Sequence, residues 1–525
     1  MTSATLITLA ESPWHEWPVL RATVLVVYLV VLGLIGIYGL HRYWLVFLFL
    51  KNGRCRPAPA DRFNSLPEVT VQLPLYNEAR VAERVIDAAC RLDYPADRLQ
   101  IQVLDDSNDE QAALVRRRCE HWARQGVRIQ HRRRDVRTGY KAGALRDAMP
   151  DAVGQFVAIF DADFVPPSGF LRETIHYFTD PGVGMVQARW EHLNRRSSLL
   201  TRIQALFLDG HFVVEHTARN RSRCWMNFNG TAGVWRRTTI EDAGGWRHDT
   251  LTEDLDLSYR AQLAGWKFVY LPEVVCPAEL PPEINAFKSQ QHRWTKGSIQ
   301  TAIKLLPGLL RSRLPLRIKI EAFFHLTCPM VYVFLTTLAL LFFPTLFIHL
   351  NPAELGEVGA VLLAVGCIAV GLVSVSTFYV TSQCRRDRSV LGTFLQIPML
   401  MSLGVGMAVN NTRACIEALV GHESPFVRTP KYDCRGDADR PLRRAGGILA
   451  SGSSRWWVTV AELAMGFYML ACTAIAMGME RAMVSVPFLT LFAIGYFYVG
   501  LTSLWVFWQG RRPARPEAVA RFAES

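Results

Sequence analysis

The chain has 525 residues, half of them hydrophobic, and carries a formal net charge of +12. Its length exceeds that of one small domain and allows a soluble domain together with a membrane portion. Its eleven cysteines show no CxxC pair or metal-site spacing, which predicts reduced, mostly packed thiols in a cytosol-facing protein. The basic residues flank apolar runs, which favours anionic lipid and phosphate-bearing substrates as partners over nucleic acid.

The first long apolar run extends from Ala22 to Leu40 and contains no charged residue. It is long enough to span a bilayer and lacks the small-residue cleavage site of a secretory signal, so we predict an uncleaved transmembrane helix. His41, Arg42 and Lys51 follow it directly. The positive-inside rule therefore places the next segment in the cytoplasm.

Beyond a Pro-containing polar linker, strand and helix patterns alternate along the chain. Strands are predicted at 68–73, 99–104 and 127–130, and helices at 79–92 and 110–124. This alternation predicts a mainly parallel sheet covered by helices. The sequence has no G-x-G-x-x-G or Walker motif, so carboxylates and basic residues are expected to hold any bound nucleotide.

Acidic residues follow two of the apolar runs that are predicted to be buried strands. Asp105 and Asp106 follow one run, and we expect them beside a nucleotide base and ribose, unless Asp-Asp-Ser only turns the chain. Asp161 and Asp163 follow another, and their spacing on an extended segment would point both carboxylates to one side. Such oxygen ligands suit Mg²⁺ or Mn²⁺ bridging a diphosphate, although a surface pair is the ordinary alternative.

Further candidates lie downstream. Lys141, between two glycines, is expected to neutralise a phosphate, or else to be a solvated lysine at a helix start. Glu253 and Asp254 begin a predicted helix, where carboxylates also serve as caps. A short strand is predicted at 268–271.

The last candidates, Gln290, Arg293 and Trp294, lie at i, i+3 and i+4 and therefore share one face of a predicted helix. Trp294 offers a flat platform for a sugar ring, and Arg293 offers a cation for pyrophosphate. The alternative is that Trp294 only packs an interface helix.

The ordered motifs VLDDSND, FDADF, TED and QQHRW resemble the D, DxD, TED and QxxRW series of family 2 glycosyltransferases in the cellulose synthase superfamily. The segments RTGYKAGAL, MVQARW, FNGTAGVWRR and AGWKFVYL are similar to the cellulose-synthase-like branch that makes mannan, glucomannan or glucan backbones. The resemblance covers residues 69–432. It implies an α/β cytosolic glycosyltransferase A-type domain, with a mainly parallel sheet, inserted in an α-helical transmembrane domain.

The resemblance also assigns roles to residues. It makes Asp254 the general base for inverting transfer, with Glu253 orienting or capping. It places Asn229, Gly230 and Thr231 against the acceptor, where a plain turn is the alternative. It matches Phe426, Thr429 and Lys431 to the FxVTxK gating loop, so that Thr429 and Lys431 would meet the nucleotide. This chain departs from that loop, since Arg428 takes the valine position and Pro430 stiffens the segment; an ordinary cytosolic loop is the alternative.

Five apolar runs follow the cytosolic motifs, at 323–350, 358–380, 390–409, 456–478 and 484–508. Basic residues bracket 390–409 on both sides, so we predict a re-entrant or interfacial element there and five spans in all. The predicted divisions are 1–56 (first membrane helix), 57–300 (glycosyltransferase domain), 301–322 (amphipathic interface helix), 323–382 (two membrane helices), 383–455 (re-entrant element and gating-like loop), 456–510 (two membrane helices) and 511–525 (cytosolic tail).

The predicted function is a membrane-embedded, inverting, processive glycosyltransferase. It would take hexose from UDP-glucose or GDP-mannose with Mg²⁺ or Mn²⁺, extend a β-linked glucan or mannan, with a β-1,4 linkage expected, and export it. The predicted partners are the nucleotide sugar, the glycan or lipid acceptor and membrane lipid, in the cell's inner membrane. A ceramide-type lipid glucosyltransferase is the enzyme alternative. A nucleotide-sensing channel or transporter ranks lower, because only Glu462 lies near a span interior.

Overall fold

A computed structural model describes residues 17–109, 111–348, 369–424, 429–433 and 456–510. These residues form two compact units. The sheet unit comprises Phe47–Thr327 together with the described residues from His422 to Asp433, and the helical unit comprises the remaining described residues. Predictions that involve Phe426, Arg428, residues 358–368 of the run 358–380 and the tail 511–525 lie outside the described residues.

The sheet unit is built on seven strands in the order β3-β2-β1-β4-β6-β5-β7. Strand β6 alone runs antiparallel to its neighbours β4 and β5, and the other paired strands are parallel. This confirms the predicted mainly parallel sheet. The strands are β1 (Val69–Leu75), β2 (Leu99–Asp105), β3 (Ile129–Arg132), β4 (Phe156–Ile159), β5 (Val183–His192), β6 (Gly233–Arg236) and β7 (Lys267–Ala278).

The described helices begin with α1 (Pro18–Asn52). Those that follow in the sheet unit are α2 (Ala79–Cys90), α3 (Gln111–Arg124), α4 (Tyr140–Ala148), α5 (Phe170–Thr174), α6 (Leu199–Asp209), α7 (Thr217–Arg221), α8 (Arg237–Asp242), α9 (Glu253–Leu263), α10 (Ile284–Arg311) and α11 (Leu316–Thr327). A π-helix, Gly210–His216, joins α6 to α7.

Both faces of the sheet are covered. Ala158 of β4 packs into a core that contains Val85 of α2, whereas its neighbours Val157 and Ile159 pack into a second core with Leu257 of α9. Since successive residues of a strand point to opposite faces, a strand buried on both faces is apolar throughout. This is why the central strands appear in the sequence as unbroken apolar runs.

The reversed strand β6 brings a distant segment to the edge of the sheet where β4 ends. Gly233, the first residue of β6, pairs with Ile159, the last residue of β4. The residues just before Gly233 therefore lie beside those that follow Ile159. In this way the topology places the Asn229–Thr231 segment next to Asp161.

Two predicted elements differ from the structure. The single interface helix expected at 301–322 falls on the end of α10 and the start of α11, which are separated at Ser312–Pro315. Proline disfavours a helical conformation in the residue before it, which explains the break. The short strand expected at 268–271 belongs to the longer β7, because parallel pairing with β5 continues through a bulge to Ala278.

In the helical unit, the described helices after α11 are α12 (Met330–Phe347), α13 (Ser374–Cys384), α14 (Val390–Gly406), α15 (Ala408–Leu419), α16 (Trp456–Met477) and α17 (Val486–Gly510). Length and apolar composition make four stretches of the described chain suitable for crossing a bilayer: Pro18–Asn52, Met330–Phe347, Trp456–Met477 and Ala482–Gln509. The pair α14 and α15 bends by 45° and would add a fifth as one broken span. The re-entrant element at 390–409 stays a prediction.

Glycines allow close helix packing in this unit. A Cβ added at Gly406 of α14 would overlap the carbonyl oxygen of Gly495 in α17, and one added at Gly495 would overlap that of Ser402. Small residues at such crossings are typical of helices that associate within membranes. In α16 the acidic side chain of Glu462 is fully buried in the protein.

Candidate active site

A cleft opens at the carboxyl ends of β1, β2 and β4, where open α/β sheets bind ligands. Its lining is dominated by charged and polar side chains. It includes Tyr76, Glu78, Leu104, Asp106, Arg137, Lys141, Asp161, Asp163, Arg293, Thr429 and Lys431. The structure thus brings together seven of the predicted site residues from five separate motifs.

The two aspartates at the end of β2 have different surroundings. Asp106 lines the cleft and accepts a hydrogen bond from Arg134 Nη2 at 2.6 Å. Asp105 is buried and pairs with His131 Nε2 at 2.9 Å and with the Ser107 amide at 3.0 Å. Burial would raise the pKa of Asp105, but these hydrogen bonds lower it overall. Asp105 therefore joins β2 to β3 through His131, and its contact with nucleotide stays a prediction.

Asp161 and Asp163 lie on a turn and not on the extended segment that we predicted. The Phe164 amide donates to the Asp161 carbonyl at 3.0 Å, since the chain reverses after β4 and Phe164 bridges to Ala278 of β7. The side chain of Ala162 is buried in the core. Both carboxylates still line the cleft, as expected for a shared site.

Each carboxylate of this pair is balanced by a lysine. Lys141 Nζ lies 2.6 Å from Asp161 Oδ1, and Lys431 Nζ lies 2.5 Å from Asp163 Oδ2. Within the described ranges no three His, Cys, Asp or Glu side chains come together as metal ligands. Mg²⁺ and Mn²⁺ are commonly held by one or two carboxylates while substrate phosphates and water supply the other ligands. The Asp161–Asp163 pair fits that type of site.

Lys141 links the carboxylate pair to the segment before β6. Besides Asp161, its Nζ donates to the Gly230 carbonyl at 2.8 Å and lies 3.9 Å from Glu253 Oε1. Burial acts to lower the pKa of Lys141, but the surrounding carboxylates raise it above the ordinary lysine value. Lys141 is therefore a charged group at the centre of the cleft.

Asp254, in the first turn of α9, keeps part of its surface open, although the surrounding protein removes most of its water. Desolvation and the neighbouring charge of Glu253 raise the pKa of Asp254 to about 7, while Lys141 acts in the opposite direction. A carboxylate with this pKa is well suited to take up a proton near neutral pH.

Gly230 allows the backbone to approach Asp254 closely. Its φ of +81° favours glycine, and a Cβ there would lie 2.9 Å from Asp254 Oδ2. Its neighbour Thr231 is fully buried and accepts a hydrogen bond from the Asp161 amide at 2.9 Å. Thr231 thus supports the turn that carries Asp161, and its acceptor contact stays a prediction. Asn229 is half-buried beside Gly230.

Gln290, Arg293 and Trp294 all lie on α10, as predicted, and each is half-buried. Arg293 lines the cleft, where burial lowers the pKa of its guanidinium and the carboxylates Glu253, Asp161, Asp254 and Asp163 act against that shift. Trp294 packs against the core cluster that contains Phe228. The packing role considered as the alternative for Trp294 is therefore present in the structure.

The segment Thr429–Asp433 covers one side of the cleft. Thr429 is 3% exposed, and its hydroxyl has no hydrogen-bond partner among the described residues. The Tyr432 amide donates to Glu279 Oε2 at 3.1 Å, and Asp433 pairs with Arg84 at 3.1 Å. Arg84 also lies 2.7 Å from Glu279. Sequence reasoning missed Arg84 and Glu279, because neither residue falls within a recognisable motif.

A further group missed from the sequence is Arg137, which lines the cleft with its guanidinium 3.3 Å from the centre of the Tyr76 ring. Its signal was present, since Arg137 opens the RTGYKAGAL motif.

The model of the family described as glycosyltransferase like family 2 matches residues 67–297. Residues 67–297 form a family 2 glycosyltransferase domain. This match covers the strands, the carboxylate pair, Asp254 and the Gln290–Trp294 motif. The resemblance predicted from these motifs is confirmed, and this family 2 domain carries the described cleft except for the segment Thr429–Asp433.

Curated relatives of the family 2 domain are named for mannan chemistry. The chain is 44% identical over 272 residues to glucomannan 4-beta-mannosyltransferase 1 of Oryza sativa subsp. japonica, covering 50% of this chain and 52% of that protein. It is 44% identical over 253 residues to glucomannan 4-beta-mannosyltransferase 7 of Arabidopsis thaliana, covering 47% and 46% of the two chains. The matches thus span about half the length of these relatives.

Among solved structures, the mannosyltransferase PcManGT from Pyrobaculum calidifontis, in complex with GDP-Man and Mn²⁺, is similar to this chain. It has a TM-score of 0.52 and 21% identity, and the match covers 77% of this chain and 100% of PcManGT. At this level of identity the likeness shows a shared fold for the family 2 domain.

Proposed function

We propose that this protein is a membrane-embedded, inverting mannosyltransferase that transfers mannose from GDP-mannose to the end of a β-1,4-linked mannan or glucomannan chain. The names of the curated relatives favour mannose over glucose as the transferred sugar. The motifs in the cleft are compatible with either donor.

One observation carries the proposal: burial and Glu253 raise the pKa of Asp254 to about 7, and Lys141, which also acts on Asp254, pairs with Asp161 at 2.6 Å. An inverting transfer needs a single base near the acceptor and positive charge near the departing diphosphate. Asp254 supplies the base. Lys141, Arg293 and Lys431 supply the charge, because they are cationic side chains at the same cleft.

The reaction is a single displacement. The acceptor hydroxyl oxygen attacks the anomeric carbon of mannose, and its proton moves to an Asp254 oxygen as the new glycosidic bond forms. The bond from the anomeric carbon to the β-phosphate oxygen breaks, and GDP leaves with that electron pair. Attack opposite to an α-linked leaving group gives a β-linkage, so one carboxylate suffices, unlike the two used in glycoside hydrolysis.

Stabilisation of the leaving group falls to the cations around the diphosphate. Asp161 and Asp163 would hold a divalent ion, which supplies Lewis-acid stabilisation of the diphosphate charge. Lys141 is fixed between Asp161 and the Gly230 carbonyl, so its charge is already in place before the donor binds. Arg293 presents a planar guanidinium that suits bidentate phosphate contacts.

Processive synthesis and export form the further part of the proposal. Four to five candidate membrane-crossing elements in the described chain support a membrane location. The exposed part of Trp294 offers an apolar surface for the acceptor sugar.

The test is transfer of radiolabel by the purified full chain in lipid nanodiscs with Mn²⁺ or Mg²⁺. GDP-mannose and UDP-glucose are supplied separately, and products are sorted into ethanol-insoluble and lipid-soluble fractions. Label from GDP-mannose in polymer that β-mannanase degrades, and that is lost in Asp254→Asn, supports the proposal. Label confined to a single-sugar lipid, or polymer formed only from UDP-glucose and digested by β-1,4-glucanase, overturns it.

A further inference from the structure

The π-helix Gly210–His216 brings together two histidines that an α-helix would separate. A π-helix pairs residues i and i+5, and such turns are rare and frequent at functional sites. His211 and His216 are five positions apart, and their ring centroids lie 4.4 Å from each other. Both rings thereby reach the same residue, Asn229.

The two histidines hold the Asn229 side chain at both ends. Asn229 Nδ2 lies 3.0 Å from His211 Nε2, and Asn229 Oδ1 lies 2.6 Å from His216 Nε2. Since the amide nitrogen can only donate, His211 Nε2 must accept, and since Oδ1 can only accept, His216 Nε2 must donate. With the amide in this orientation, both histidine tautomers follow from the network.

Acidic and basic neighbours fix His211 in its tautomer. His211 Nδ1 donates to Glu215 Oε2 at 2.9 Å, and Glu215 also lies 3.4 Å from Arg219. Arg219 is in turn 3.5 Å from Glu321 of α11. His216 is fully buried, and burial together with the nearby charge of Arg219 lowers its pKa well below the usual histidine value, which keeps it neutral.

This arrangement lies directly beside the candidate base. Asn229 precedes Gly230, where an added Cβ would lie 2.9 Å from Asp254 Oδ2, and the backbone N–H of Asn229 donates to Gln187 Oε1 at 3.0 Å. The half-buried Asn229 side chain uses one of its two amide N–H groups on His211. Within the described part of the chain, its second N–H and an oxygen lone pair remain for a ligand at this position.

We propose that His211 and His216 are positioning residues that hold the Asn229 amide so that it binds a hydroxyl of the acceptor's terminal sugar next to the attacking one. This deepens the proposed function and rests on it. A fixed amide beside the base orients the attacking oxygen without itself moving a proton. Its loss should weaken acceptor use while leaving donor use unchanged.

The variants follow from the geometry. His216→Gln keeps a side-chain N–H where Nε2 stands and should preserve the bond to Asn229, whereas His216→Leu removes it. Asn229→Ala removes the amide itself, and His176→Asn, at a histidine that accepts from the Phe63 amide, is the control. Mannotetraose is the acceptor and GDP-mannose the donor, with the full chain in nanodiscs.

We expect KM for mannotetraose to rise about five- to tenfold in His216→Leu and Asn229→Ala, as for the loss of one hydrogen bond. KM for GDP-mannose should not change, and His216→Gln should behave like wild type. Acceptors lacking the 3- or the 6-hydroxyl on the terminal sugar identify the bound group. For one of these acceptors, the rise in KM measured with wild type should equal the rise that Asn229→Ala causes with intact mannotetraose. When that acceptor is used with Asn229→Ala, KM should rise no further.

Three results would each overturn the inference. The first is an equal rise in KM for mannotetraose and for GDP-mannose, and the second is a KM for mannotetraose in His216→Gln as high as in His216→Leu. The third is a rise in KM that is fully additive with Asn229→Ala for both deoxy acceptors. Mannotetraose binding, followed by tryptophan fluorescence without donor, separates this inference from the proposed function. If wild type binds mannotetraose more tightly than His216→Leu but transfers no mannose from GDP-mannose, the proposed function fails and the positioning role stands. If wild type does not bind mannotetraose, the positioning role fails.

Discussion

Lys431 Nζ lies 2.5 Å from Asp163 Oδ2, although the two residues are 268 positions apart in the chain. Together with the Lys141–Asp161 pair, this contact neutralises both carboxylates of the turn after β4. A cation of higher charge at that turn would compete with the two ammonium groups. The lysines would then be free to meet the diphosphate of the donor.

Asp254→Asn should lower the rate of mannose transfer by about 10²–10⁴-fold, because it removes the base while keeping the size of the side chain. The Kd for GDP-mannose should change little, since Asp254 is assigned to the acceptor hydroxyl. Asp242→Asn, at an exposed position on α8, is the matched control. Comparable activity in the two variants would contradict the role of Asp254.

The pH dependence of kcat/KM should show an acidic limb near 7, the pKa of Asp254, with activity rising as the carboxylate loses its proton. Glu253 raises that pKa and Lys141 lowers it. Glu253→Gln should therefore move the limb to lower pH, and Lys141→Met should move it to higher pH. Limbs that stay fixed in both variants would show that another group titrates.

Removal of divalent metal by EDTA should abolish transfer, and added Mn²⁺ or Mg²⁺ should restore it. Asp163→Asn should require about tenfold more metal for half-maximal rate, because it replaces a carboxylate ligand with a weaker amide. The exposed Asp97→Asn variant should behave like wild type. Full activity in EDTA would exclude a metal role for the turn after β4.

Thr429→Val tests the hydroxyl that has no partner among the described residues. If donor binding satisfies that hydroxyl, valine should raise KM for GDP-mannose, while the loss of an unsatisfied buried group should leave Tm unchanged or higher. Thr239→Val is the matched control, since the Thr239 hydroxyl is also buried and has no partner in the described part of the chain, but lies on α8. A similar KM in both variants would remove Thr429 from the donor site.

Asp105→Asn should destabilise the fold by about 1–3 kcal/mol, since it weakens the buried contacts to His131 and Ser107. The folded-state pKa of Asp105 is lowered, so its stabilising effect is present above the unfolded pKa and is lost as pH falls through the folded value. Tm measured against pH should therefore differ between wild type and variant at neutral pH and converge in acid. The exposed Asp93→Asn variant is the control.

The sequence predicted the elements of the sheet well where burial on both faces produces an unbroken run of apolar residues. The central strands and the helices between them were predicted close to their observed bounds, because β1, β2 and β4 are buried on both faces and appear as apolar runs. Ligand contacts were expected for the carboxylates that follow these strands, because open α/β sheets bind ligands at the carboxyl ends of their strands.

The sequence could not decide which of two adjacent aspartates faces that cleft. Successive side chains at the end of β2 point to opposite faces, so Leu104 and Asp106 line the cleft while Asp105 points away. The π-helix was also missed, because its i to i+5 pairing leaves no distinct periodicity in seven residues. The role of Arg84 and Glu279 depends on a contact with Tyr432 and Asp433, far along the chain.

The position of Lys431 has a consequence for the chain during its synthesis. A nascent polypeptide that ends between residues 278 and 428 already contains β1 to β7, Asp161, Asp163 and Asp254, but lacks the segment Thr429–Asp433 that closes one side of the cleft. The lining of the cleft is complete only after the ribosome has passed α15. Helices α12 to α15 of the described chain are therefore made before the enzyme is able to consume nucleotide sugar.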